Sequence, residues 1–118
     1  MTVLLVAAGA AVGAPLRYLL DRAVQRRHES GFPWGTLTVN VLGCLVLGVL
    51  VGLPVAAPLS SLLGVGFCGA LTTYSTFAYE TLRLLQNRTY LLAVLNVVVS
   101  LLAGLGAAFL GTTVAAAL

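Results

Sequence analysis

Two asparagines interrupt apolar stretches of this 118-residue chain, each within a stripe of polar and small residues. Thr36, Asn40 and Gly43 recur at steps of four and three, and Asn96, Ser100 and Gly104 at steps of four. On a helix such spacing gathers each set on one face. A polar group in hydrocarbon is costly without a partner, so each asparagine is a functional candidate by default. Two uses fit equally: a hydrogen bond between helices, worth about 0.6 kcal/mol, or an N–H donor lining the path of an ion or substrate. A lone serine often returns its hydroxyl to its own backbone, but a stripe that also holds asparagine is harder to read that way.

A third cluster, "GVGFCGALTTYSTFAYE", runs Gly64, Gly66 and Gly69 into Thr72, Thr73, Tyr74, Ser75 and Thr76. Glycine followed by hydroxyl residues favours leaving a helix over continuing it. Non-helical backbone at membrane depth survives only where protein or water buries it. A break here would free carbonyls for a cation and amides for an anion, as in discontinuous transporter helices. Tyr74 and Phe77, three apart, would project together beyond it. Their ring edges are electropositive and can attract an anion without trapping it.

Other chemistries find little support. His28 is the sole histidine and lies beside Glu29 in a basic loop, as a solvated residue would. Cys44 and Cys68 fall within apolar stretches without CxxC or Cys/His spacing and read as small packing residues. No metal set, nucleophile elbow or phosphate loop is present. The pI of 9.3 reflects loop arginines rather than a nucleic-acid surface. Enzymatic activity is not expected.

The elements that must position these residues are membrane helices. Hydrophobic residues make up 60% of the chain and charged residues 8%, with mean hydropathy +1.08, whereas soluble domains carry roughly a quarter charged residues. A crossing needs about 20 apolar residues, and four stretches qualify: Val3 to Leu20, Gly35 to Leu53, Leu59 to Leu82 and Tyr90 to Leu110, the last with room to run on through "GTTVAAAL". The expectation is one all-α membrane domain over residues 1–118. Pro54 and Pro58 punctuate the second connection, and Trp34 marks an interface. The first stretch lacks the basic leader of a signal peptide and has its arginines after it, so it reads as a retained span.

All six arginines, Arg17, Arg22, Arg26, Arg27, Arg83 and Arg88, flank the first and third connections. The positive-inside rule places those loops in the cytoplasm and both termini outside. Arg17 and Glu80, near span ends on that side, read as snorkelling side chains or a structural pair. For Arg17 the alternative is a positive vestibule that draws anions in. "GAAVG" (Gly9 to Gly13) and "GVLVG" (Gly48 to Gly52) let helices approach closely. They suit an oligomer, and equally the inside of a bundle.

Taken together, "GTLTVNVLG" (Gly35 to Gly43), "GFCGALTTYSTFAYE" (Gly66 to Glu80) and Arg17 in "PLRYLL" resemble the signature of the Fluc/CrcB fluoride channels. The resemblance covers the whole chain in length, span count and motif order. It implies four transmembrane helices with the third broken near its middle, assembled as an antiparallel dimer with two fluoride pores and a non-transported sodium ion at its centre. The family's sodium carbonyls fall on Gly69 and Thr72, its polar pore track on Thr36, Asn40 and Ser100, and its pore aromatics on Tyr74 and Phe77. Asn96 stands in the fourth-helix track. The implied role is passive export of fluoride from the cytoplasm across the cell membrane, which lowers its toxicity.

The chain departs from that pattern at Tyr74, where phenylalanine is usual, and at Ala70, where a second glycine is. It departs also at Asn96, in place of an aromatic or histidine, and at Gly104, commonly serine. Charge is the larger departure: a chain inserting both ways should carry almost no arginine bias, yet here it is six to zero. That imbalance suggests a subunit of single orientation paired with an opposite paralogue, its own pore partly degenerate or completed by the partner. Two rival readings stand against a channel. A proton-coupled exporter like the small multidrug resistance proteins needs a carboxylate in its first span, which here has none. A purely structural subunit leaves Asn40, Asn96 and the hydroxyl-rich cluster unexplained unless its pore has decayed.

Overall fold

The computed structural model describes residues 1–28 and 31–118, so Glu29 lies outside the described residues. The described residues form helices and connections without a strand. Among the described residues, three helices are long and apolar enough to cross a membrane: α1 (Thr2–Arg26), α2 (Trp34–Gly52) and α6 (Tyr90–Ala117). Between α2 and α6 lies the third apolar stretch, in pieces: α3 (Ala57–Ser60), a π-helical segment (Ser61–Cys68), α4 (Gly69–Leu71) and, after a gap, α5 (Ser75–Gln86). The chain is a multi-pass membrane protein with its third stretch interrupted.

Helix ends differ from the sequence reading where local chemistry overrides hydropathy. The first helix continues past Leu20 through Asp21 to Arg26, because alanine, glutamine and arginine sustain a helix once it has left the apolar layer. The last helix runs on to Ala117, absorbing all of "GTTVAAAL" but its final Leu118. Pro54 falls in the turn after α2, whereas Pro58 stands in the first turn of α3, a position where the missing amide costs nothing. Trp34 opens α2 and packs on Phe32, ring centroids 4.7 Å apart, and on His28 at 5.4 Å. His28 is exposed, as expected, with Nδ1 donating to the Val24 carbonyl at 2.8 Å.

Two backbone-close contacts fix the layout. Helix α6 packs along α2 and α1 along the π-helical segment. A side chain on Gly9 would meet the Leu62 carbonyl, and one on Gly48 the Ala108 carbonyl. Gly13 faces Ala70 and Leu71, and Gly52 faces Thr112 and Ala115. Both small-residue patterns are therefore spent on packing inside one chain. The glycines of the third stretch also do something other than expected. Gly64 and Gly66 stay helical, in the widened π form that often marks functional sites, and the helix ends only after Leu71.

Candidate functional site

The gap between α4 and α5 is three residues, Thr72 to Tyr74. Thr72 turns extended, with φ −83° and ψ 160°, after its amide and its Oγ1 both donate to the Cys68 carbonyl, at 3.0 and 2.9 Å. Thr73, 8% exposed, then exchanges two bonds with Asn40 of α2. Its amide donates to Asn40 Oδ1 at 2.7 Å, and Asn40 Nδ2 donates to its carbonyl at 3.0 Å. One side-chain amide thus does what a neighbouring strand would do for one residue. The Thr73 hydroxyl accepts from the Thr76 amide at 3.2 Å, capping the start of α5 as threonine does at helix N-termini. Gly43, one turn along α2 from Asn40, leaves room for the Thr72 methyl, which any side chain there would strike.

This diversion of amides has a consequence for the carbonyls. In a continuous helix the Thr73 amide would serve the Gly69 carbonyl and the Thr76 amide the Thr72 carbonyl. Here those amides go to Asn40 and Thr73. Among the described residues no amide donates to the carbonyls of residues 69 to 72, the orphan acceptors of a helix end. Of these residues, Gly69 and Thr72 line a groove beside the gap. Nothing lies within 4 Å of where a side chain on Gly69 would stand.

That groove, about 490 Å³, runs between α2, the broken stretch and α6, and most of its wall is apolar. It gathers Asn40, Gly69, Thr72, Tyr74, Phe77 and Ser100, six of the residues singled out from the sequence. The Tyr74 and Phe77 rings lie 6.2 Å apart, centroid to centroid, tilted by 52°. Tyr74 is 81% exposed. Cys44 and Cys68, both free thiols, also border the groove.

Three predicted residues lie elsewhere. Thr36, 2% exposed, donates its hydroxyl to Glu80 Oε1 across the α2–α5 contact, so Glu80 binds Thr36 rather than pairing with Arg17. Glu80 in turn borders a second, more polar cavity of about 380 Å³ with Gln25, Arg83, Asn87 and Thr89. Arg17 is half-buried and lines neither cavity. Asn96, 1% exposed, lines neither cavity and donates to Thr81 Oγ1 at 2.8 Å. Sequence reasoning passed over Thr73 and Thr81. Thr73 stood within the flagged hydroxyl cluster, but nothing in its identity reveals that its backbone is the partner of Asn40.

The comparisons with known proteins bear on this arrangement. The family model described as "CrcB-like protein, Camphor Resistance (CrcB)" matches residues 4–112. The chain belongs to the CrcB family. Among its CrcB relatives, a protein of Streptomyces avermitilis named "Fluoride-specific ion channel FluC 1" is 60% identical over 122 residues, covering 100% of this chain and 98% of that protein. A FluC 1 of Frankia casuarinae is 57% identical, covering 99% and 98%. A Mycobacterium tuberculosis protein named "Fluoride-specific ion channel FluC 2" is 48% identical over 104 residues, covering 88% and 82%. In this CrcB chain the helix gap, its asparagine clamp and the two aromatics all meet at one groove.

Proposed function

We propose that the chain is a subunit of a fluoride-selective, passive ion channel that exports fluoride from the cytoplasm. The observation that carries this reading is the clamped helix gap, which sets Tyr74 and Phe77 beside Asn40 and Ser100 in a largely apolar groove. Such a groove offers an anion weak donors, ring edges and amide or hydroxyl hydrogens, with no fixed cation to trap it. Thr36, one turn from Asn40 on α2, holds Glu80 with its hydroxyl and stands outside the groove, and Arg17 raises the local potential at the entrance. The family membership and the names of the relatives support fluoride as the permeant ion. None of these roles calls for an enzyme.

The open carbonyls of Gly69 and Thr72 suit a structural, non-transported Na⁺. One chain supplies two such oxygens, too few to enclose a cation. A second subunit lying antiparallel across the groove would bring a second pair and cover the exposed Tyr74 ring. Because the arginines predict a single orientation, with arginine-bearing loops cytoplasmic and termini outside, that second subunit is an oppositely oriented paralogue in this reading. A second reading, that the chain is a partly degenerate structural half of such a pair, is favoured by Gly104, which gives the groove no hydroxyl.

Efflux from liposomes tests the selectivity and the pairing. Fluoride should leave much faster than chloride when this chain is reconstituted with its paralogue, and slowly or not at all when it is reconstituted alone. Equal chloride and fluoride flux would reject the selectivity, and robust fluoride efflux from the purified single chain would reject the obligatory heterodimer.

A further inference from the structure

Asn96 lines neither cavity, yet both of its hydrogen bonds lead to residues on the groove. Ser100 Oγ donates to Asn96 Oδ1 at 3.4 Å, Asn96 Nδ2 donates to Thr81 Oγ1 at 2.8 Å, and Thr81 Oγ1 donates to the Phe77 carbonyl at 2.8 Å. The direction of the chain follows from counting protons. Thr81 has one hydroxyl proton and gives it to Phe77, so towards Asn96 it can only accept. That requirement turns the carboxamide nitrogen to Thr81 and its oxygen to Ser100. The links are unequal: 2.8 Å is the usual length for a firm bond, and 3.4 Å is long for a hydroxyl donor.

We propose that Asn96 is a positioning residue, which ties the Ser100 hydroxyl of α6 to the backbone of Phe77 in α5 through Thr81 and thereby sets how Ser100 meets an anion in the groove. The proposal rests on the reading above that Ser100 and Phe77 border the anion path. In the empty groove the long bond to Asn96 gives the Ser100 proton a weak resting place, from which an anion takes it at little cost. Without the carboxamide, Ser100 turns to the carbonyl four residues back, the usual refuge of a helical serine. Its proton is then held more tightly and further from the ion. Through the firm half of the relay, the same asparagine fixes the Phe77 turn of α5 against α6.

Fluoride flux through the conducting assembly in liposomes tests the coupling. Ser100→Ala, Asn96→Ala and Thr81→Val should each lower flux about tenfold, the worth of one hydrogen bond to an ion. The double variants Asn96→Ala/Ser100→Ala and Thr81→Val/Ser100→Ala should be no slower than their parents, and Thr81→Ser should restore flux. Additive losses, or full flux in Thr81→Val, would overturn the coupling. The carboxamide protons of Asn96 give a readout independent of conduction, by NMR in fluoride-free buffer. Slow exchange in the unsubstituted protein, with a shifted resonance and faster exchange in Thr81→Val, is expected. An unchanged signal in that variant overturns the relay. A protected carboxamide in an assembly that carries no fluoride counts instead against the functional reading.

Discussion

Arg88 is the one non-glycine residue with positive φ among the described residues, at 59°. It stands where α5 turns into α6, and the surrounding bonds show why. The Thr89 amide donates to the Leu84 carbonyl at 3.0 Å and the Arg88 amide to the Leu85 carbonyl at 3.1 Å, the crossed pair of a Schellman motif whose left-handed position is ordinarily glycine. A side chain there costs about 1–2 kcal/mol against the right-handed form. Arg88→Gly should therefore stabilise the protein by about 0.5–1 kcal/mol, after allowing for the freer unfolded chain, seen as a raised midpoint for thermal unfolding in detergent. Asn40 invites the opposite experiment. Asn40→Ala leaves the Thr73 amide and carbonyl without partners, which costs about 1–3 kcal/mol for each group that water does not reach. Hydrogen exchange at the Thr73 amide should accelerate in that variant while exchange in the middle of α6 stays as it was. Unaltered exchange at Thr73 would mean that the clamp does not hold the gap open.

Between the helices, contact is decided by which glycines have no room for a methyl group. A side chain on Gly48 meets the Ala108 backbone, whereas one on Gly106 meets nothing within 4 Å. Both lie inside long helices, so propensity alone favours alanine at each by about 1 kcal/mol. Gly106→Ala should thus stabilise, and Gly48→Ala should destabilise by about 1–3 kcal/mol as α2 and α6 are forced apart. Equal effects, measured by thermal unfolding, would show that these helices do not touch through Gly48. This difference was not legible in the sequence, where "GVLVG" and "GLG" look alike. Apolar run lengths placed the four stretches, and the hydroxyl cluster located the interruption, because length and local propensity are written residue by residue. The partners of Asn40, Thr36 and Asn96 were hidden for a different reason. They come from α5 and from the gap, 15 to 44 residues away in the chain, and only the packing of α2 and α6 against the broken stretch selects them.

At the scale of the whole molecule, the arginines and the groove make one joint demand. Gln25 and Pro33, beside the first connection, share a cavity with Arg83, Asn87 and Thr89, beside the third, so both arginine-bearing connections lie at one end of the bundle. The second connection and the chain ends carry no arginine or lysine. Basic residues close to the ends of spans set orientation, and here all six vote the same way. If the groove is completed by an antiparallel neighbour, as proposed above, a chain held to one orientation cannot supply that neighbour to an identical copy in the same membrane. The expected outcome is a C-terminal reporter that is active only when it reads the outer face. Replacing Arg22, Arg26 and Arg27 with glutamine halves the bias and should let part of the population insert the other way. In that mixed population the chain can meet an inverted copy of itself, so fluoride efflux without the paralogue should rise above that of the unsubstituted chain. Dual insertion of the unsubstituted chain, read as comparable signals from inside and outside reporters, would remove the need for a second gene product and leave a homodimer as the functional unit.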